Sequence, residues 1–132
     1  MKKLLKNLKL KISINNSIVN INNRNIKIAV NDWMRNPKKA EAKYGHISCW
    51  NTSQVTIMKK LFFKALLFNE PIGGWDVSNV TTMEEMFYNA DSFNQDISSW
   101  DVRSVNNMRA MFYGANNFNR GFRNWDLSNL PM

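Results

Sequence analysis

Few side chains in this sequence have the types and spacing that chemistry requires. The only histidine, His46, lies three residues before the only cysteine, Cys49. A structural zinc site needs four ligands, and no second Cys or His exists to complete one. A cysteine nucleophile needs an activating base, and no residue other than His46 is a candidate. We therefore expect Cys49 to be a small packing residue, and we predict no catalytic residues and no metal site.

Carboxylates form a column, because one aspartate recurs every 25 residues. Calcium needs several oxygens converging on one point, and one carboxylate per repeat supplies few. A short polar side chain that bonds the neighbouring backbone explains the column better. Glu84 and Glu85 are adjacent and point in different directions, so they do not form an acid–base pair. The closest feature to a phosphate-binding glycine loop is Gly73-Gly74, so we expect no cofactor.

Tryptophans also recur every 25 residues and could form stacking platforms for a sugar or for single-stranded nucleic acid. Residues 46–132 carry seven basic and eight acidic side chains, and a net charge of −1 is poor for binding nucleic acid. Large repeated aromatic side chains more often fill a core. We therefore interpret the tryptophan column as core and consider nucleic acid an unlikely partner.

These columns belong to a 25-residue tandem repeat that positions every candidate residue. The copies are 50–74, 75–99, 100–124 and a partial copy at 125–132, and the second copy reads WDVSNVTTMEEMFYNADSFNQDISS. The predicted repeat core consists of Trp50, Trp75, Trp100, Trp125, Val80, Val105, Met83, Met108, Phe87, Phe112, Phe93 and Phe118. The predicted turn ladder consists of Asp76, Asp101, Asp126, Asn69, Asn94 and Asn119.

The pattern within one copy predicts two elements. Ile97–Val102 has the composition of a short strand. Val105–Ala115 places its apolar residues at helical spacing. A single copy has no neighbour to cover its apolar face, so it folds only when stacked. The sequence thus predicts an α/β fold, a short right-handed solenoid with one short strand and one short helix per 25-residue repeat.

The repeat core resembles that of the BspA-like leucine-rich-repeat-type surface proteins, which include a Mycoplasma-type domain of unknown function. That family has a W-D-x-S-x-V-x-x-M-x-x-M-F core followed by F-N-x-x-I. The chain has WDVSNVTTMEEMF with FNQDI, WDVRSVNNMRAMF with FNRGF, and the more divergent WNTSQVTIMKKLF with FNEPI. The resemblance implies a leucine-rich-repeat-like solenoid and a non-enzymatic scaffold, of a kind often described as surface-exposed and adhesive or as protein-binding.

Residues 1–49 differ in character from the repeats, and we expect them to form a basic segment and a helical cap. Residues 1–45 hold eleven basic and two acidic side chains, a net charge of +9. Ile26, Val30 and Trp33 share one helical face, Pro37 suits the first position of a second helix, and Gly45 suits its end. The stretch from Ala29 to Trp50 also resembles the segment before the first repeat in eukaryotic and large-virus members of the family.

The first residues of the chain allow two interpretations. Residues 8–14 alternate as a half-buried strand does, and residues 18–21 could pair with them as a second strand, which would make the capping segment α+β. Alternatively, residues 4–12 form a basic amphipathic helix for a membrane surface. The alternation favours the strand. Lysines interrupt the apolar run after Met1, so we predict no signal peptide, and no apolar stretch has the length of a membrane span. The compartment is left open.

We therefore expect the chain to be a scaffold for protein–protein interaction, with recognition at exposed positions that vary between copies. Those positions are Thr81, Glu84, Glu85 and Tyr88 in one copy, and Asn106, Arg109, Ala110 and Tyr113 in the next. One alternative is a self-associating protein that uses the uncapped last copy around Phe118, Phe122 and Trp125, or a decayed fragment of a longer repeat protein. A less favoured alternative is binding of nucleic acid or a membrane surface by residues 1–45.

Overall fold

The structure is a computed structural model that describes residues 20–131, and its regular elements all precede the repeats. Helix α1 spans Ile26–Arg35, helix α2 spans Pro37–Tyr44, and a 3₁₀ helix spans Ile47–Cys49. The strand expected at residues 8–14, the alternative helix at residues 4–12 and the first half of the strand expected at residues 18–21 lie outside the described residues. Residues 20 and 21 do not form a strand. No helix in the described part combines the length and the apolar character needed to cross a membrane.

The predicted strand–helix solenoid is wrong. Each copy is a run of turns, and the β-structure of the described chain consists of two isolated parallel bridges, Ile57–Thr82 and Thr82–Asn107. Neither the strand expected at Ile97–Val102 nor the helix expected at Val105–Ala115 is present. The leucine-rich-repeat-like description of the fold is therefore overturned as well.

Backbone conformation explains why the expected helix does not form. Within the predicted helix, Ala110 and Gly114 have φ values of +54° and +74°. The same two positions in the second copy, Glu85 and Asn89, both have φ of +55°. A left-handed residue every fourth position cannot belong to a right-handed α-helix. Each copy instead makes consecutive tight turns, such as the bond from Met111 N–H to the Met108 carbonyl at 3.2 Å.

The backbone groups that a helix would use internally bond the neighbouring copy instead. Every second N–H along this stretch donates to a carbonyl 24 residues later, at distances of 2.7 to 3.0 Å. The donor–acceptor pairs between the second and third copies are Met83–Asn107, Glu85–Arg109, Phe87–Met111 and Asn89–Tyr113. These bonds hold the copies in register, so residues 25 apart lie beside one another.

Aromatic rings fill the space that this register creates. Phe87 is fully buried, and its ring centroid lies 5.4 Å from that of Phe62 and 5.5 Å from that of Phe112. Phe93 stacks on Phe87 at 4.1 Å within the same copy. The core therefore consists of columns of parallel rings that continue from copy to copy. Such offset stacks add to the free energy gained from burying the rings.

The helices cover the first copy. Trp33 of α1 packs its edge against Trp50 with centroids 6.4 Å apart, and Tyr44 of α2 packs against the same ring at 5.7 Å. The Asn23 side-chain oxygen accepts from the N–H of Thr56 at 2.9 Å. In later copies that N–H position donates to the preceding copy, as Thr81 does to the Thr56 carbonyl. The Asn23 side chain thus supplies the hydrogen-bond acceptor that the backbone of the preceding copy supplies in later copies.

The third copy, 100–124, is less well covered than the second. Phe112 and Phe118 are half-buried, whereas their counterparts Phe87 and Phe93 are fully buried. The N–H groups of Ala110, Phe112 and Gly114 have no acceptor within residues 20–131. Packing therefore weakens towards the end of the described chain.

Candidate interaction surface

The tryptophan column lies inside the molecule. Trp50, Trp75 and Trp100 are buried, and Trp125 is half-buried. Each indole N–H donates to a backbone carbonyl, for example from Trp100 to Ile72 at 3.0 Å. Among the other predicted core residues, those of the second copy and Val105 are buried, and Met108 is partly buried. A buried indole with its N–H paired offers no stacking platform for a ligand.

The aspartate column forms turns. Asp76 Oδ1 accepts from the N–H of Ser78 at 2.9 Å and from its hydroxyl at 2.6 Å. Asp126 accepts from the N–H of Ser128 at 3.0 Å, and Asp101 forms a two-pronged pair with Arg103. The Ser78 hydroxyl and N–H lower the pKa of Asp76 below its usual value. These carboxylates are therefore engaged by their own turns.

The asparagine column links one copy to the next. Asn69 Oδ1 accepts from the N–H of Asn94 at 2.9 Å, and Asn94 Oδ1 accepts from the N–H of Asn119 at 3.0 Å. The contacts repeat with the same geometry, so these residues form a side-chain ladder parallel to the backbone ladder.

His46 joins the helical segment to the first copy. Its Nδ1 accepts from the N–H of Ser48 at 3.1 Å, which caps the 3₁₀ helix, and lies 2.7 Å from the Ser48 hydroxyl. Its Nε2 lies 3.3 Å from a carboxylate oxygen of Glu70. Cys49 is exposed, with its sulfur 3.7 Å from the Ser48 hydroxyl. Within residues 20–131, no three His, Cys, Asp or Glu side chains are grouped to hold a metal ion.

The most unusual surface feature is an aromatic stripe formed by Phe63, Tyr88 and Tyr113. These residues occupy the same position in three copies, and their rings stack with centroids 5.0 Å apart at both steps. Phe63 and Tyr88 are half-buried, whereas Tyr113 is 65% exposed. Lys60 and Lys64 hold their ammonium groups 5.1 and 5.3 Å from the centre of the Phe63 ring.

A groove of 510 Å³ runs beside the aromatic stripe. Its lining includes the residues that directly follow those of the aromatic stripe, namely Lys64, Asn89 and Gly114. The leucine edge, Leu66 and Leu67, forms another part of its wall. These leucines are 58% and 86% exposed. The rest of the lining, Asp91, Ser92 and Asn116, is polar, so the exposed leucines lie in a mixed wall next to the aromatic stripe.

Charged side chains beside this region are paired across copies. Glu84 lies 2.9 Å from Arg109 of the next copy and 3.5 Å from Lys59 of the previous copy. Loss of hydration raises the pKa of Glu84, but the hydrogen bonds and positive charges of Arg109 and Lys59 outweigh it, and the net pKa is lowered. Glu84 and Arg109, which the sequence indicated as variable recognition positions, are therefore engaged with each other.

One comparison with known proteins gives a match. The family described as "Mycoplasma protein of unknown function, DUF285" matches residues 30–131. The chain belongs to this family. No curated protein and no solved structure matches it. The DUF285 match begins inside α1 and continues through the copies to residue 131.

Sequence reasoning found only part of the surface of this DUF285 domain. Tyr88 and Tyr113 were indicated as exposed and variable, but Phe63 and the leucine edge were not. The signal for Phe63 was present, because residues 63, 88 and 113 are all aromatic at the repeat spacing. Leu66 and Leu67 carried no such signal, since the later copies have Asp91-Ser92 and Asn116-Asn117 at these positions.

Proposed function

We propose that this chain is a non-enzymatic module that binds another protein through the aromatic stripe and the leucine edge, in the manner of the BspA-like surface proteins whose repeat core it resembles. The observation that carries the proposal is the exposure of two large apolar side chains, Leu67 in the groove wall and Tyr113, which directly precedes the wall residue Gly114. Contiguous exposed apolar surface marks interaction sites on soluble proteins.

The composition of the surface supports a protein partner. Tyrosine is enriched at binding hot spots because it presents a large, rigid side chain with a polar tip. The ladder bonds fix the spacing between Phe63, Tyr88 and Tyr113, so little conformational entropy is lost when a partner binds them. The lysines beside Phe63 add positive charge at one end, which favours a partner with acidic residues there.

The test uses the full chain with a photo-reactive phenylalanine analogue at position 113 to capture and identify the partner. Affinity is then measured with the purified partner. We expect Tyr113→Ala and Leu67→Ala each to weaken binding at least about tenfold, or about 1.4 kcal/mol. Leu127→Ala is the matched control, because Leu127 is an exposed leucine that lines none of this groove, and it should leave the affinity unchanged.

The same experiment separates this function from self-association. The half-buried Phe122 and Trp125 at the last copy favour an end-on contact between molecules. Light scattering across a range of concentrations detects such a complex. Two results together would overturn the proposal in favour of self-association. The first is a concentration-dependent dimer that Trp125→Asp abolishes, and the second is an unchanged partner affinity in Tyr113→Ala and Leu67→Ala.

A further inference from the structure

A second concave site lies away from the repeats, at the corner where α1 ends and α2 begins. Its volume is 260 Å³, slightly below the range of roughly 300–1,000 Å³ typical of sites for drug-sized ligands. The site therefore suits a small chemical group. It is lined by Asp32, Arg35, Asn36, Lys39, Ala40, Lys43 and Tyr44.

The charge around this corner pocket is strongly unbalanced. Arg35, Lys39 and Lys43 contribute three positive charges, and Asp32 contributes one negative charge. Asp32 is already engaged, because its Oδ2 accepts the Tyr44 hydroxyl at 2.6 Å. The lining therefore carries a net charge of +2 with no ligand bound.

Asp32 is the one acidic side chain of the lining, and it does not pair with any of these cations. Within residues 20–131, none of the three cations forms an ion pair. Residues 1–19 contain no Asp or Glu, so that segment has no acidic side chain to supply. Like charges gathered in a concave site concentrate the field there and attract an anion.

The geometry of the helices keeps the cations together. Lys39 and Lys43 are four residues apart on α2 and so share one face. Asn36 caps α2 by accepting from the N–H of Lys39 at 3.2 Å, which places the positive end of the helix dipole at the same corner. The Lys43 ammonium lies 5.1 Å from the centre of the Tyr44 ring, and Tyr44 is itself fixed by Asp32.

We propose that the corner pocket binds a phosphate monoester group, carried by a soluble phosphorylated molecule or by a lipid headgroup. A phosphate monoester has a charge close to −2 at neutral pH, which matches the net charge of the lining. Arg35 offers the planar fork that suits two phosphate oxygens, and the lysines add point charges. The site is independent of the aromatic stripe, so either proposal can fail without the other.

The test measures binding of inorganic phosphate to the full chain by calorimetry and by NMR chemical-shift changes. The pocket variant is Lys39→Gln/Lys43→Gln. The matched control is Lys27→Gln/Lys38→Gln, which removes the same charge from exposed positions of the same two helices outside the lining. We expect shift changes centred on the end of α1 and the beginning of α2, with affinity lowered at least about tenfold in the pocket variant and less than about twofold in the control.

Two vesicle compositions identify the source of the phosphate. Vesicles of phosphatidic acid in phosphatidylcholine carry the monoester on a lipid, and pure phosphatidylcholine vesicles do not. If the protein binds the phosphatidic acid vesicles and only the pocket variant loses this binding, the site takes a lipid headgroup. If the protein binds inorganic phosphate through the pocket but does not bind these vesicles, the site takes a soluble molecule. Equal losses in the two double variants, or no binding of wild type to either probe, would overturn the proposal.

Discussion

Phe87→Ala should lower the free energy of unfolding by about 3–5 kcal/mol, the range for truncating a fully buried phenylalanine. The Phe87 ring contacts stacked rings on three sides, those of Phe62, Phe93 and Phe112. Its removal leaves a cavity in the middle of the column, and the backbone ladder on either side prevents collapse into it. Since small domains are stable by roughly 5–15 kcal/mol, such a loss is a large part of the total.

Urea denaturation of the two proteins measures this loss, provided that both unfold in one cooperative transition. Phe63→Ala is the matched control, because it makes the same chemical change at a half-buried ring that stacks on Tyr88 alone among the aromatic residues of the described chain. We expect a loss of about 1 kcal/mol or less there. Equal losses at the two positions would mean that the continuous ring column does not stabilise the array.

Gly73→Ala should also destabilise the chain, by about 1–3 kcal/mol, for a reason of backbone packing. A Cβ at Gly73 would clash with the carbonyl oxygen of Asp96 in the next copy. That oxygen is part of the backbone and cannot move away without shifting the copy. The close approach of the two copies at this point therefore requires glycine.

The adjacent glycine provides the control. A Cβ at Gly74 meets nothing within 4 Å, and its φ is not in the left-handed region. Gly74→Ala should leave stability unchanged or raise it slightly by restricting the unfolded chain. Thermal unfolding of the two single variants gives the comparison. If Gly74→Ala were the more destabilising, the described contact between copies would be incorrect.

The repeat spacing predicted which residues share a column, but it could not predict the conformation within a copy. Met108, Met111 and Phe112 have helical spacing, and the same spacing also brings them to one side of a chain of tight turns. An α-helix and a chain of tight turns differ in which carbonyls accept from the backbone N–H groups, and the apolar pattern carries no information about these hydrogen bonds. Of the left-handed positions in the second and third copies, Asn89 and Gly114 have residue types that favour positive φ, whereas Glu85 and Ala110 do not.

The helical segment was easier to predict because its signals are local. Proline at the first position and glycine after the last residue correspond to the observed limits of α2, Pro37–Tyr44. The corner pocket was not predicted, because it depends on the angle between two helices, which brings Arg35 of α1 next to Lys39 and Lys43 of α2. For the same reason the sequence could show a basic segment without showing a pocket.

The array explains how a short chain can present an ordered surface. Side chains at equivalent positions are held side by side by backbone bonds between copies, whatever their own chemistry. Phe63, Tyr88 and Tyr113 therefore stack on the outside in the same way that Phe62, Phe87 and Phe112 stack inside. Residues on the outer face can change without disturbing the inner columns, which suits a module for recognition.

Hydrogen exchange of individual backbone amides, followed by NMR, tests the in-register ladder most directly. The N–H groups of Glu85, Phe87 and Asn89 donate to the next copy, whereas those at the same positions of the third copy, in Ala110, Phe112 and Gly114, have no acceptor in the described chain. The account predicts exchange about 100-fold or more slower in the first set. Similar exchange rates in the two sets, or slow exchange only in the set from the third copy, would contradict the in-register ladder.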